Sequence, residues 1–474
     1  MRLSQLFSEL GTGALKGDAE VRGLTADSRV AGEGDLFFCL RGTHVDSHAF
    51  AAEAEARGCA AVVCEQELPV SCAQLVVPDG REAMARIAAA FCGHPERVLS
   101  VVGVTGTNGK TTTAFMIRNI LSEAGVRTGI VGTLGAAYKR VSVAPSLTTP
   151  DPLTLFPLLA DMAKAGVQTV VTEVSAHALA LKKEAPVVYD VAVFTNLTRD
   201  HLDFFGDMAR YGAAKRMLFT PEKCRYAVLN ADDPFSRTLA GVPHIAYGLE
   251  TPADAFALVR SDTLHGCRAI FNIDDDLTEI SIPMTGRHNL YNALAAACAA
   301  RRLGADGNAV ARGIARTRVA GRLEHVASVR GAEVFVDFAH TPDGLVKSLS
   351  ALREHCAGRL FVLFGCGGER DAGKRAEMGR AAAQNADVSV LTSDNPRRED
   401  PCAILSMIER GFAGVSSEYV VIEERERAIG YALGELGEGD ILLIAGKGAE
   451  NYQEIMGIKY PFSDQAVVRD LLKK

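Results

Sequence analysis

The run Gly103-Val104-Thr105-Gly106-Thr107-Asn108-Gly109-Lys110-Thr111-Thr112 has the residue types and order needed to grip a polyphosphate. Glycines free the backbone to turn N–H groups onto phosphate oxygens, and a helix starting at the loop's end adds a favourable dipole. Lys110 would neutralise the terminal phosphates and the Thr111 hydroxyl would ligate Mg²⁺, with Gly106, Thr107, Asn108, Gly109 and Thr112 completing the cradle. The usual spacing of such loops asks for glycine at 104, whereas this chain has Val104, and Gly103 lies one residue too far upstream.

Two further clusters carry chemistry. Glu173 closes an apolar run, 167–174, and precedes Ser175-Ala176-His177; a buried carboxylate there is costly unless it meets a cation. The next run ends in Asn196-Leu197-Thr198-Arg199-Asp200-His201-Leu202-Asp203. His201, placed beside aspartates, and Glu173, from an adjacent strand end, have the donor types to share Mg²⁺ near a bound triphosphate. Lys215 reads from its spacing alone as a solvated helix lysine.

These residues need strand ends to hold them. Residues 99–104, 167–174, 190–197 and 226–230 are short apolar runs with helical patterns between them, which predicts a mostly parallel sheet covered on both faces. After the loop, Met116, Ile117, Ile120, Leu121 and Ala124 form one helical stripe, with Gly125 as its cap. Similar alternation recurs at 333–338, 359–364, 387–392, 419–423 and 440–445. Before residue 97 lie three more runs and an alanine-rich helix, closed by Gly93-His94-Pro95. The 474 residues make about three domains at roughly 150 residues each. The expected division is 1–97, 98–328 and 329–474: α/β throughout, with a central P-loop mononucleotide-binding parallel sheet and a Rossmann-like C-terminal domain.

Composition narrows the classes. A net charge of −7 argues against a general nucleic-acid binder or an anionic-membrane binder. There is no apolar run of about 18 residues and no charged-then-apolar leader, so a cytoplasmic location without membrane insertion is expected. The 11 cysteines form no CxxC pair and read as reduced small hydrophobes.

Taken together, the phosphate loop, Glu173-Val174-Ser175-Ala176-His177-Ala178-Leu179 and the segment 196–203 resemble the Mur ligases, ATP-dependent amide-forming enzymes of peptidoglycan synthesis. The resemblance continues through Gly286-Arg287-His288-Asn289-Leu290-Tyr291-Asn292, Gly321-Arg322-Leu323-Glu324 and Asp337-Phe338-Ala339-His340-Thr341-Pro342-Asp343. It implies that Lys215 is carbamylated and helps hold a second Mg²⁺, with Glu173 and His201 as metal ligands. It also implies that Asn289 bounds the adenine, that Arg322 and His340 contact the phosphates, and that Asp337 lies near the ribose. Thr25-Ala26-Asp27-Ser28-Arg29 resembles the family's uridine-binding segment, with Ser28 at the nucleotide. Gly42-Thr43-His44-Val45-Asp46-Ser47-His48 departs from that pattern, showing Ser47 where glycine is common. Thr148, Thr149 and Ser175 would contact a muramoyl-dipeptide; Lys182 and Lys183 are nearby cations without an assigned place.

Two C-terminal segments select the acceptor. Phe364-Gly365-Cys366-Gly367-Gly368-Glu369-Arg370-Asp371 and Ser393-Asp394-Asn395-Pro396-Arg397 resemble the family's branch that adds meso-diaminopimelate to the D-glutamate of UDP-N-acetylmuramoyl-L-alanyl-D-glutamate. Diaminopimelate exceeds lysine by one carboxylate, which a guanidinium fork such as Arg397 binds bidentately. A lysine acceptor would leave that charge unpaired. Gly446 and Glu450 would grip the distal amino-acid end, with Arg370, Asp394, Asn395 and Pro396 completing the pocket. The implied reaction passes through an acyl phosphate made with ATP, in a chain read as a monomer. The alternatives are a lysine-adding form, a folylpolyglutamate synthetase-like ligase lacking a uridine domain, and a P-loop regulatory switch without an amino-acid pocket.

Overall fold

The computed structural model describes all residues except 43, 44, 146, 416 and 474. Its three main sheets follow one another along the chain. The first has the order Ala14–Lys16, Ala73–Val76, Ala61–Cys64, Asp35–Phe38, Gly23–Thr25, parallel except at the Ala14–Lys16 edge. The helix Gly80–Phe91 packs Ala83, Met84, Ile87 and Ala90 on this sheet and is capped by Asp79, whose carboxylate accepts from the Arg81 and Glu82 amides.

The second sheet has eleven strands. At its centre the strand Ser100–Thr105 lies between Thr169–Glu173 and Val191–Phe194, parallel to both. The loop after it therefore opens at a point where connections leave on both sides, the position where open α/β sheets bind ligands. Glu173 and the segment leading to His201 accordingly belong to strands on opposite sides of the loop strand, not to strands adjacent to each other as expected. The helix Lys110–Glu123 buries Met116, Ile117, Ile120 and Leu121, and Gly125 (φ +83°) ends it. Gly313 on a neighbouring helix sits so close that a Cβ there would lie 2.4 Å from Ile120 Cα.

Both edges of this sheet carry antiparallel strands that the parallel pattern did not predict: Gly135–Tyr138 with Val141–Val143, and Ala255–Thr263, Gly266–Ile273 and Asp276–Ile282. Their faces alternate between buried and exposed, so they lack the continuous apolar runs that marked the central strands.

The third sheet has the order Glu324–Val329, Ala332–Asp337, Ile441–Ala445, Leu360–Phe364, Val388–Leu391, Glu418–Val421, and only its first pair is antiparallel. The expected division at 328/329 falls inside Glu324–Val329, so this sheet begins earlier than anticipated. That strand is a half-exposed edge and carries little apolar signal. A separate hairpin, Tyr452–Ile455 with Ile458–Pro461, stands beside the sheet.

Among the described residues no helix is long and apolar enough to cross a membrane. All eleven cysteines are unpaired, and burial pushes the Cys39 thiol up to about 12, which keeps it inert.

The strand Ile441–Ala445 is anchored by a buried ion pair. Arg425 Nε and Nη2 donate to Asp464 Oδ1 and Oδ2 at 2.7 and 2.8 Å, and Nη2 also reaches Ala445 O at 2.9 Å. Removing one charge strands the other in the interior, so Asp464→Asn is expected to destabilise the C-terminal unit by about 3–5 kcal/mol. Urea unfolding followed by circular dichroism measures this; an unchanged midpoint would show the pair to be dispensable.

Candidate functional site

The carboxyl ends of the second and third sheets face each other across one cleft of about 830 Å³. The phosphate loop forms its floor. Val104 is fully buried as the penultimate residue of the loop strand, and Gly103 serves packing, since a Cβ there would meet the Tyr189 ring at 2.7 Å. The turn itself runs from Gly106 to Gly109. Gly109 has φ +87°, and a Cβ on it would come within 2.3 Å of Asn292 Oδ1. The loop is held from behind: Thr107 N donates to Asn196 O at 2.8 Å, Asn108 N to Asn196 Oδ1 at 3.0 Å, and Thr195 Oγ1 to Asn108 O at 2.6 Å. Lys110 Nζ folds back onto Gly106 O and Thr107 O at 2.9 and 2.8 Å, and burial lowers its pKa. The ammonium is thus already at the loop mouth.

Glu173 is buried, yet its carboxylate is satisfied by hydroxyls and an amide, where a cation was expected. It accepts from Thr111 Oγ1 at 2.9 Å, Thr133 Oγ1 at 3.0 Å and Thr133 N at 2.9 Å. Thr111 also accepts from Arg322 Nη2 at 3.1 Å, bringing the C-terminal side onto the loop. Arg322 stacks over Phe338 at 4.3 Å.

His201 caps a short helix at φ +57° and packs edge-on against His177 at 4.7 Å. Desolvation in the cleft holds its imidazole below the usual range, against the opposing pull of Asp200. Asp200, beside it, lies 3.3 Å from His201 Nε2, 3.9 Å from His340 Nε2 and 3.7 Å from Lys374 Nζ. Burial, with Lys374 nearby, also lowers His340.

Lys215 corrects the solvated-lysine expectation. It is 1% exposed, its Nζ lies 4.5 Å over the Tyr211 ring, and burial reinforced by Lys110 drives its pKa well below the usual lysine range. No periodicity could show this, because the helix Met208–Arg216 is covered by Ala176–Ala180 and Leu202–Phe205, short helices distant or separate in sequence.

The cleft wall includes Asn289, whose Nδ2 donates to Thr285 O at 2.9 Å. It also includes Asp337, but protein donors occupy that carboxylate: Leu323 N at 2.7 Å, Ala339 N at 3.0 Å and Ser348 Oγ at 2.9 Å. Thr148 lines the cleft and meets Thr133. Thr149 and Ser175 lie just behind it, where Thr149 Oγ1 accepts from Ser175 N at 3.0 Å and donates to Glu173 O at 2.8 Å. Lys183 Nζ contacts Asp151 at 2.8 Å, whereas Lys182 bridges Asp79 and Glu82 of the first unit, both at 2.8 Å.

At the far end, Arg397 points inward. Its Nη1 donates to Gly368 O at 2.6 Å and its side chain is 17% exposed, so it is not a solvent-facing loop arginine. Asn395 Nδ2 donates to Glu450 Oε2 at 2.8 Å, and the buried Lys447 bridges Asn395 Oδ1 and Glu450 Oε2, both at 3.1 Å. Asp394, Arg370 and Gly446 share this wall. Pro396 is buried behind it, and Gly106 is the buried first residue of the loop turn.

Ser28 is not in the cleft. It belongs to the first unit, where its hydroxyl lies 3.5 Å from Glu53. Ser47 ties its loop to the strand end by accepting from Leu40 N at 2.6 Å, while Thr43 and His44 lie outside the described residues. Sequence reasoning missed Lys374, Lys447, Asp343 and Thr133. Lys447 alone had a local signal, sitting between Gly446 and Gly448.

Known proteins share this arrangement. Residues 104–300 match the Mur ligase middle domain, 321–448 the Mur ligase glutamate ligase domain, and 20–92 the Mur ligase family catalytic domain. The UDP-N-acetylmuramoyl-L-alanyl-D-glutamate--2,6-diaminopimelate ligase of Geobacillus thermodenitrificans is 42% identical, over 97% of this chain and 96% of its own. The chain belongs to the Mur ligase family. A protein of the same name from Xanthomonas campestris is 42% identical to this Mur ligase, over 100% of this chain and 97% of its own. A solved structure titled with that name superposes with a TM-score of 0.68 at 33% identity, covering 96% of this ligase and 95% of that chain.

The crowding at Gly109 yields a prediction for this Mur ligase. Gly109→Ala forces a left-handed alanine against Asn292, so the Kd for a non-hydrolysable ATP analogue is expected to rise at least about tenfold, or ~1.4 kcal/mol. Calorimetric titration, with circular dichroism as a folding control, decides it; an unchanged Kd would remove the loop from nucleotide binding.

Proposed function

We propose that this Mur ligase uses ATP and Mg²⁺ to join meso-diaminopimelate to the D-glutamate of UDP-N-acetylmuramoyl-L-alanyl-D-glutamate. The observation that carries the reading is the single cleft running from Lys110 and Thr111 to an inward-facing Arg397. A switch protein would need no such amino-acid pocket, and a lysine-adding ligase would have no use for the guanidinium. The curated relatives extend over the whole chain, including the first unit, which favours this reading over a folylpolyglutamate synthetase-like one.

A carboxylate and an ammonium do not condense unaided, so the donor must be activated. The γ-phosphoryl of ATP passes to the side-chain carboxylate of D-glutamate, forming an acyl phosphate and ADP. The amine of diaminopimelate then attacks the acyl carbon, loses a proton and expels phosphate. Lys110 leaves its carbonyl partners for the phosphate oxygens, and Arg322 reaches them from the third unit. Asn289 bounds the adenine. Asp337, already saturated, fixes the ribose side of the wall through the backbone it holds.

The donor set around Thr111, Glu173 and His201 (hydroxyl, carboxylate and neutral imidazole) suits Mg²⁺, with Lys215 as a further ligand once carbamylated. When bound, the metal neutralises phosphate charge. The unprotonated amine that burial favours at Lys215 is the form that adds CO₂.

Ser28 is the uridine contact, and Thr148, Thr149 and Ser175 position the muramoyl-dipeptide. At the other end Arg397 and Arg370 take the distal carboxylate of diaminopimelate, while Asp394, Asn395, Gly446 and Glu450 take its ammonium end, and Pro396 shapes the turn. The division 1–97, 98–328, 329–474, adjusted to the sheet that starts at Glu324, assigns UDP, ATP and acceptor to successive units. Nucleotide substrates fit a cytoplasmic location, and a cleft assembled from one chain fits a monomer.

Arg397→Ala is expected to reduce kcat/KM for meso-diaminopimelate by roughly thirty-fold or more, the equivalent of about 2 kcal/mol. It should narrow the preference over L-lysine in parallel assays; a wild type that prefers lysine would end the acceptor assignment. Lys215→Ala should abolish most turnover. In the wild type, lowering the pH protonates the Lys215 amine and removes its carbamate, so activity falls on the acid side and added bicarbonate restores it. A ¹³C-bicarbonate NMR carbamate signal that is lost in Lys215→Ala checks the assignment, and its absence from the wild type refutes it.

A further inference from the structure

Arg397 does not stand alone in the acceptor pocket. Its Nε lies 3.4 Å from Glu454 Oε2, the one carboxylate within 4.0 Å of this guanidinium among the described residues. Glu454 belongs to the hairpin strand Tyr452–Ile455, and the contact is built in by the backbone. Arg397 N donates to Glu454 O at 3.0 Å, Met456 N to Arg397 O at 2.6 Å, and Glu454 N to Asn395 Oδ1 at 2.9 Å. Both side chains are mostly buried, at 17% and 22% exposure. The neighbouring acids are engaged elsewhere: Glu450 with Asn395 and Lys447, and Glu399 with Arg375.

We infer that Glu454 is a resident counter-charge for Arg397 that lowers the ligase's discrimination between acceptors with and without a distal carboxylate. The inference rests on the diaminopimelate reading of the pocket. Without Glu454, an acceptor lacking the second carboxylate leaves a buried guanidinium unpaired, at a large desolvation cost. Glu454 gives Nε a partner whether or not an acceptor is present, so that cost shrinks. A diaminopimelate carboxylate arriving at the outer nitrogens must then share the guanidinium and approach a like charge. Both effects favour the lysine-type acceptor relative to a pocket with Arg397 alone.

The test compares kcat/KM for meso-diaminopimelate and L-lysine in the wild type and in Glu454→Gln, with thermal unfolding as a folding control. The expected result is a rise of about tenfold in the diaminopimelate-to-lysine ratio. It should come from a lower KM for diaminopimelate and a lower kcat/KM for lysine, with kcat for diaminopimelate unchanged. In an Arg397→Ala background the same substitution should leave the ratio unaltered, since the two residues act as a pair. Glu454→Met, of similar length, supplies the same readout if the amide disturbs the hairpin. An unchanged ratio, or a raised KM for diaminopimelate as expected of a mere loop brace, overturns the counter-charge while leaving the acceptor assignment standing. A wild type that ligates neither amino acid overturns both.

Discussion

Asn108, at the tip of the phosphate loop, donates to Asp343 at 2.8 Å, and Asp343 is held in turn by Lys347 at 2.8 Å. With Asp200 facing His340 and Lys374, and Arg199 meeting Glu377 at 2.7 Å, this places the third sheet over the second. These polar contacts between units help hold the two walls of the cleft together. Those of Asp343 and Asp200 are partly buried, so solvent screens them less than the exposed Arg199–Glu377 pair. Each unit alone would present exposed strand ends with a few stranded polar groups; together they enclose a reaction space that limits water.

That enclosure collects positive charge. Lys215 is buried and Lys110 and Arg322 are partly so, and each loses basicity mainly through desolvation. Such crowding is unfavourable in an empty protein and becomes favourable when polyanions arrive. Glu173 avoids the same difficulty through three neutral donors, which leaves its charge available. The site therefore spends stability on an arrangement suited to phosphate and carboxylate groups.

Much of this was legible in the chain. The central parallel strands announced themselves as apolar runs, because both their faces are covered. The loop announced itself because glycine, lysine and threonine each answer a separate requirement of phosphate binding. What stayed hidden depends on neighbours distant in sequence. Lys215 looks like any helix lysine until other elements pack over it, and Glu454 is one acid in a polar hairpin until the strand pairs with Arg397. The antiparallel edges and the strand Glu324–Val329 escaped because half-exposed strands carry weak hydrophobic signals.

The first unit's link to the second and the interior of the third unit are fastened by different physics. Lys182 bridges Asp79 and Glu82 through side chains about one-third exposed, whereas Arg425 and Asp464, which secure the strand end at Ala445, are wholly inaccessible to solvent. Ions in the medium weaken the first kind of link and barely touch the second. The first unit's joint to the second thus combines an electrolyte-sensitive bridge with the apolar packing of Ala85, Ala88 and Ala89, while the strand end at Ala445 keeps its shape across the ionic conditions a cell encounters.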